Sequence, residues 1–407
     1  MNGKPRSGSP GFHGWMPAPI PFCLLASSSW DGSRFAGNGG SDMPAARHKP
    51  LLLLLALLVL GGCSFVDKTN TIEEISPVVL LYLDEGNDGS VKLSTIIPPL
   101  KKEKKSVITT SSNTLIEGRY LRNLKYYRET KGGQIRMIFF SEAMANRGLT
   151  SLLDTLLRDP EISSRVFLSV VRGDMIGYLN RQMQSGQEEI DLYLYKMFAH
   201  YEKQGQLTTS NVHEFLARVY NPYADPVLPY YAVANNELRY SGTALFRGDK
   251  MVGKIPLSDD VFFQMLREKR GVQKTVPLSE ADVVLGSIKT ERQIHFTDSF
   301  RNVHIDVMLK GRVEEVPAGQ KTDSPRELQE FERKLERRIQ EKLEKIIDRT
   351  QALRVDPFGL GMHTVGWKER PFTREQWNQR WPDMDVTIHV SLKLEHTGML
   401  DSHADRR

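Results

Sequence analysis

The run from Met43 to Ser64, MPAARHKPLLLLLALLVLGGCS, constrains this chain more than any other segment. Arg47 and Lys49 form a basic start, and Leu51 to Leu60 form an apolar stretch of ten residues. Leu60-Gly61-Gly62-Cys63 then places an aliphatic residue and two small residues before a cysteine. Ten residues of helix rise only about 15 Å, half of the ~30 Å of hydrocarbon in a bilayer. The length and the flanks fit a cleaved export signal rather than a membrane span. Small residues ahead of the cysteine let an extended backbone enter a peptidase cleft. Cleavage is expected between Gly62 and Cys63, with the Cys63 thiol as the attachment point for a diacylglyceryl group. Two or three acyl chains make a stable anchor, because each buried methylene contributes about 0.8 kcal/mol. What folds therefore begins after Cys63 and is expected on the outer face of a bacterial plasma membrane.

This reading sets aside the first 62 residues. Residues 1–42 are rich in Gly, Ser and Pro without periodicity and are expected to be a disordered, non-native upstream extension, with Met43 as the start. Residues 1–62 hold five of the 55 basic and two of the 50 acidic side chains, so the remainder carries 50 against 48, a net charge of +2. The basic balance of the whole chain is thus no argument for nucleic-acid binding. The two cysteines, Cys23 and Cys63, fall in the discarded part and at the lipid site. No disulfide is available, and stability is left to packing.

About 345 residues suffice for more than one domain. Residues 63–76 read as the tether. Residues 77–222 read as an α/β domain. It opens on a buried strand in PVVLLYLD, with Asn87-Asp88-Gly89 as a hairpin turn. Residues 114–128 read as a helix with Leu115, Tyr120, Leu121 and Leu124 near one face. Strands are expected at 135–140 and 167–171. Asp159-Pro160-Glu161 reads as a helix start, with Asp as cap and Pro at the first position. Further helices are expected at 149–157, 188–204 and 211–220. Three prolines between Asn221 and Pro229 mark 223–229 as a linker.

After it the pattern changes to strands at 237–246 and 250–255, hinged at Arg247-Gly248-Asp249, with a short helix at 258–268. Period-two alternation marks strands around 303–313 and 386–394. Residues 324–352 give the strongest helix, with Ser324 as cap, Pro325 at the first turn and Glu327 closing a capping box. Residues 230–400 are therefore read as a second domain, with a subdivision near 318 left open, and 401–407 as a tail. The fold class is α+β and multi-domain: a mixed α/β N-terminal domain, then an α+β domain with a long helix on a largely antiparallel sheet.

Catalytic residues are not found. There is no Gly-x-Ser-x-Gly elbow and no cysteine left to act as nucleophile. Gly359-Leu360-Gly361 follows a helix and lacks the Lys-Ser/Thr pair of a phosphate loop, so it reads as a helix-ending turn. His304 and His389 lie on polar faces of expected strands and would have to meet across a sheet to bind a metal; simple exposure is the preferred reading. Glu188-Glu189 and Glu314-Glu315 are sequence neighbours and point apart. Arg247-Gly248-Asp249 reads as a hairpin turn rather than an adhesion tripeptide. No cofactor, metal or small-molecule site is expected.

Several segments taken in order resemble the Ger(x)C family, the lipoprotein C subunits of GerA-type spore germinant receptors. They are the cysteine motif at Cys63; the stretch 135–174 with Ser141, Glu142, Ala145 and Arg158-Asp159-Pro160-Glu161-Ile162; the stretch 240–255 with Gly242, Thr243, Ala244, Phe246, Asp249, Lys250 and Gly253; and a C-terminal set with Asp356, Phe358, Gly359, Gly361, Trp377 and Thr397-Gly398. Ser64-Phe65 stands where many members have a Trp-Asp pair. The resemblance implies a non-enzymatic receptor component at the inner membrane of the spore, assembled with integral-membrane A and B subunits. Arg158, Asp159, Arg247 and Lys250 are the candidates for contact with them. A solute-binding lipoprotein of a transporter is the alternative, disfavoured by the antiparallel-looking strands after 237. An exported cell-wall hydrolase would need a convergent carboxylate or metal site.

Overall fold

The structure, a computed structural model, describes residues 75–395 apart from 98–104, 127, 187–188, 205–206, 318–323 and 367–371. Gly62 and Cys63, with the whole signal run, lie outside the described residues.

The first half is organised by an eight-stranded mixed sheet. Its strands are β2 (Leu80–Glu85), β3 (Val91–Ile97), β4 (Ser106–Ser112), β6 (Met137–Ser141), β7 (Phe167–Arg172), β8 (Val227–Ala234), β9 (Glu237–Arg247) and β10 (Lys250–Pro256), in spatial order β10-β9-β8-β7-β6-β2-β3-β4. The central pairs β2–β6, β6–β7 and β7–β8 are parallel, and the outer pairs are antiparallel. A small ladder pairs β1 (Ile75–Pro77) in parallel with β5 (Glu129–Lys131).

Parallel strands covered on both faces read as continuous apolar runs, and β2 shows why. Leu81 and Leu83 join one core with Met144, Leu153 and Phe215, whereas Leu80 and Tyr82 join another with Leu179, Leu194 and Phe198. The first set comes from helices α2 (Glu142–Arg147), α3 (Thr150–Leu157) and α6 (Val212–Val219); the second comes from α4 (Met175–Gln184) and α5 (Ile190–Gln204). Helix α4 was not foreseen in the sequence; Asp174 caps it by accepting from the Gly177 N–H at 2.8 Å.

Three expectations are corrected. The 223–229 segment is not an exposed linker. Tyr223, Val227 and Leu228 are buried, Val227 opens β8, and the sheet continues through β9 and β10. Pro229 sits inside β8, where its carbonyl accepts from Ser169 Oγ at 3.0 Å. Asp159 does not start a helix. Only seven residues separate it from β7, and the chain instead turns, the Ile162 N–H donating to the Asp159 carbonyl. Helix α1 (Leu115–Lys125) forms as expected, but on a different face. Leu115, Gly118 and Arg122 are buried, whereas Tyr120 and Leu124 are exposed. A Cβ at Gly118 would come within 2.7 Å of Ser112 Oγ, so the helix lies on β3 and β4 by its glycine.

The second sheet has the order β11 (Arg270–Leu278), β12 (Val283–Thr297), β13 (Asn302–Glu315), β14 (Asp385–Glu395). Its first two pairings are antiparallel and β13–β14 is parallel. Helices α7 (Leu257–Arg267) and α8 (Pro325–Ala352) lie against it, and α9 (Arg374–Arg380) follows. Ser324 and Glu327 form the expected capping box on α8. Leu335, Ile339, Leu343 and Ile346 recur at helical spacing and share a core with Val303, Ile305, Val307 and Ile388. Strand β14 is an edge, and two outward N–H groups near its C-terminal end are capped by side chains of α8. Glu336 accepts from the Leu392 N–H at 2.8 Å and Glu332 from the Leu394 N–H at 2.7 Å. Capping an edge with side chains of the covering helix blocks pairing with a foreign strand.

Candidate functional site

The C-terminal motif residues converge on a buried polar junction that ties the second sheet to the first. Asp225 and Asp356 bond reciprocally: each backbone N–H reaches the other residue, at 2.8 Å to the Asp356 carbonyl and 2.8 Å to Asp225 Oδ2. Asp356 also accepts from the N–H groups of Leu360 and Gly361 and from Trp377 Nε1 at 3.2 Å. Trp377 stacks on Trp381 with ring centroids 6.4 Å apart, and a Cβ at Gly361 would stand 2.6 Å from its ring. Arg218 donates to the carbonyls of Asp225 and Pro357, and Arg374 to those of Val219 and Asn221. Burial pushes the Asp356 carboxyl up to about 6 and raises that of Asp225. Burial also lowers Arg218 to about 10. Every polar group in this junction faces the protein's own backbone or side chains, so its chemistry is that of a fold clasp. Gly359, with φ +69°, makes the left-handed turn that lets Asp356 fold back on its own following residues.

The 240–255 motif is likewise consumed by structure. Gly242, at φ +122°, lies where β9 bulges, and a Cβ there would meet the Ile255 carbonyl. Thr243 Oγ1 and the Tyr240 hydroxyl donate to the buried Asp260. Gly248 occupies the β9–β10 turn and donates to Asp225 Oδ1. Asp249 receives the Leu149 N–H on its carbonyl and the Thr150 N–H on Oδ2 at 3.1 Å, so it serves as an external cap for α3. Arg247 and Lys250 point outward and are exposed. Asp249→Ala is therefore expected to cost about 1–2 kcal/mol in urea denaturation, whereas Lys250→Glu leaves the midpoint within about 0.5 kcal/mol.

Arg158 and Asp159 lie at the other end of α3, about 12 Å along the helix. Arg158 is an exposed C-cap. Asp159 accepts from Arg119 at 2.7 Å, fastening the turn to α1. The four candidates therefore do not form one cluster; α3 separates them into two pairs. The Arg158 pair borders a cleft of about 740 Å³ between α1, β5 and the 158–162 turn. Its walls include Leu81, Leu115, Ile116 and Tyr120, and Arg122, only 5 % exposed, donates there to Thr130 Oγ1 at 2.6 Å. Sequence reading missed this cleft, because nothing local to the helix marks Arg122 as a buried residue.

Among the described residues, no group of three His, Cys, Asp or Glu side chains is placed to hold a metal ion. The β13–β14 register sets His304 opposite Thr387 and His389 opposite Asp306, so the two histidines are not paired. No described helix is long and apolar enough to cross a membrane.

Two family descriptions match consecutive parts of the chain: "Spore germination protein N-terminal domain" over residues 68–233 and "Spore germination B3/GerAC like, C-terminal" over 241–398. The chain is similar to "Spore germination protein GerQC" of Bacillus cereus, 24% identical over 86% of this chain and 99% of that protein. It is also similar to "Putative spore germination protein YfkR" of Bacillus subtilis (strain 168), 20% identical over 87% of this chain and 97% of the other. A solved structure described as "Crystal Structure of the GerBC protein" is 16% identical, covering 78% of this chain and 97% of that one, with a TM-score of 0.48.

Proposed function

Because the chain belongs to the Ger(x)C family of spore germination proteins, we propose that it is the lipid-anchored C subunit of a germinant receptor. It is needed for the response of dormant spores to nutrient germinants, through assembly with integral-membrane A and B subunits. One observation carries this: both family segments follow in order on a lipobox ending at Cys63, five residues before the first of them begins. In this reading the protein is a non-enzymatic receptor component. Its motif residues spend their polar groups on the Asp225–Asp356 clasp and the α3 cap, which supports a scaffold role. The protein sits on the outer face of the spore's inner membrane, tethered by the acyl chains on Cys63. Arg158, Asp159, Arg247 and Lys250 are the partner-contact residues, in two separate patches.

The test is Cys63→Ala in spores of the source strain, with membrane fractionation beside a germination assay. The chain is expected to leave the membrane fraction and the response to one class of germinants to fall. Retention in the membrane with normal germination would count against both the anchor and the receptor role. Charge reversal at Arg158 or Lys250 that left receptor assembly intact would remove that residue from the contact surface.

A further inference from the structure

Helix α1 is built inside out. Its buried face carries Gly118 and Arg122, and its outer face carries Ile116, Tyr120 and Leu124 at i, i+4 and i+8, exposed by 62, 62 and 66 %. Three large apolar side chains in one exposed line on a helix are not needed for the core beneath them. The charges around them are mixed: Glu117 is exposed beside the line, Arg119 is held by Asp159, and Arg158 stands across the cleft. An exposed apolar stripe with a tyrosine at its centre is a surface that can lie in a lipid–water interface, rings and alkyl groups in the acyl boundary and the hydroxyl in the headgroups.

The path of the chain says which lipid surface this is. Strand β1 pairs with β5, with Ile75 opposite Glu129, four residues past the end of α1. The ladder is pinned to α1: Asn123 Oδ1 accepts from the Thr130 N–H and hydroxyl, and Arg122 donates to Thr130 Oγ1. The chain therefore enters the described fold beside the C-terminal end of the stripe. Cys63 stands twelve residues before Ile75, a reach of at most about 40 Å. A leash of that length holds the stripe at a high effective concentration against the surface its own anchor occupies.

We infer that Ile116, Tyr120 and Leu124 form a second, reversible membrane contact, which lays α1 on the anionic phospholipid bilayer that holds the Cys63 lipid. The inference rests on the anchor reading above. The stripe takes the acyl-chain boundary, with the Tyr120 hydroxyl at the level of the headgroups. Docking by α1 fixes how the anchored protein faces the membrane, which the acyl chains by themselves do not.

The experiment uses the full chain, purified from a lipidating bacterial host and reconstituted in phosphatidylcholine vesicles containing phosphatidylglycerol. Cleavage before Cys63 removes Cys23, and acylation blocks Cys63, so an added cysteine is the only free thiol. An environment-sensitive dye is placed in separate proteins at Leu124→Cys, Ile116→Cys and, on the second sheet, Val272→Cys. All three sites are more than half exposed, so folding is preserved. The expected result is flotation of all three proteins, with lipid-borne quencher acting several-fold more strongly at Leu124 and Ile116 than at Val272. Flotation with equal, weak quenching at all sites would overturn the membrane contact and leave the anchor standing. Failure to float would overturn the anchor and this contact together. Protection of the stripe only after co-reconstitution with the A and B subunits would assign it to a protein partner and overturn the bilayer assignment.

Discussion

Trp377→Ala is expected to lower the unfolding free energy by about 3–5 kcal/mol, the range for truncating a large buried aromatic. The side chain is 1 % exposed, stacks on Trp381, packs over Gly361 and touches Phe372. Its loss leaves a cavity bordered by the second core, which cannot collapse easily because Gly361 is held by Asp356. It also removes the indole donor to Asp356 Oδ2, leaving that buried carboxyl with its backbone donors. Trp377→Phe keeps most of the packing and loses only the N–H, so it should cost about 1–3 kcal/mol. The measurement is urea denaturation of the full chain: a fall in midpoint at constant m-value, larger for alanine than for phenylalanine. Equal midpoints for wild type and Trp377→Ala would show that the clasp does not hold the second sheet.

The second large effect is a dependence of stability on pH that runs through Asp356. Its carboxyl titrates near 6 in the folded state, raised by burial and by the neighbouring Asp225 against its hydrogen bonds, compared with 3.8 for the free side chain. A group whose folded pKa is raised binds its proton more tightly when folded. Its contribution is fully present below about pH 4 and is lost as pH rises through 6. Between pH 7.5 and pH 5 this one group should add about 1.4 kcal/mol of stability. Burial raises Asp225 and Asp260 in the same direction. His363 opposes them: burial, then Arg292 and Lys269, lower its pKa, so its protonation on acidification destabilises the fold. The Asp356 share is isolated by comparing wild type with Asp356→Asn. The variant is less stable at every pH, because one amide face opposes an N–H donor. Its midpoint should gain less than that of wild type between pH 7.5 and pH 5, and parallel pH curves would refute the assignment.

Much of the local structure is legible from residue order because it depends on neighbours in sequence. The α8 helix carries its capping box and its apolar stripe within one continuous segment. Strands β13 and β14 alternate cleanly because one face of the sheet is buried and the other open. The motifs at 240–255 and 356–377 were legible as motifs but not as a clasp, since the bonds that close it join Asp225 to Asp356, Arg218 to Pro357, and Arg374 to Val219 and Asn221, all more than a hundred residues apart. Misread elements share one cause. The prolines at 222, 226 and 229 suggest a spacer, yet partners at Val170, Val171 and Thr243 draw Val227–Ala234 into the sheet. Asp159-Pro160 suggests a helix start, yet the nearness of β7 leaves room only for a turn. The α1 face was misassigned because hydrophobicity was read as burial, whereas close approach to β3 and β4 is set by Gly118.

By itself the sequence determined the α+β class, the long capped helix and the family resemblance, and it carries the proposal of an export signal ending at Cys63. These follow from contiguous patterns, whose physics is local: hydrophobic length, period and capping chemistry. Only the tertiary structure decided that one eight-stranded sheet runs through the proline-rich segment, that Asp225 and Asp356 lock the two sheets together, and that α1 turns Ile116, Tyr120 and Leu124 to solvent. Those outcomes depend on which distant surfaces meet and how closely, and backbone approach at a glycine or pairing across a hundred residues leaves no periodic trace in the chain.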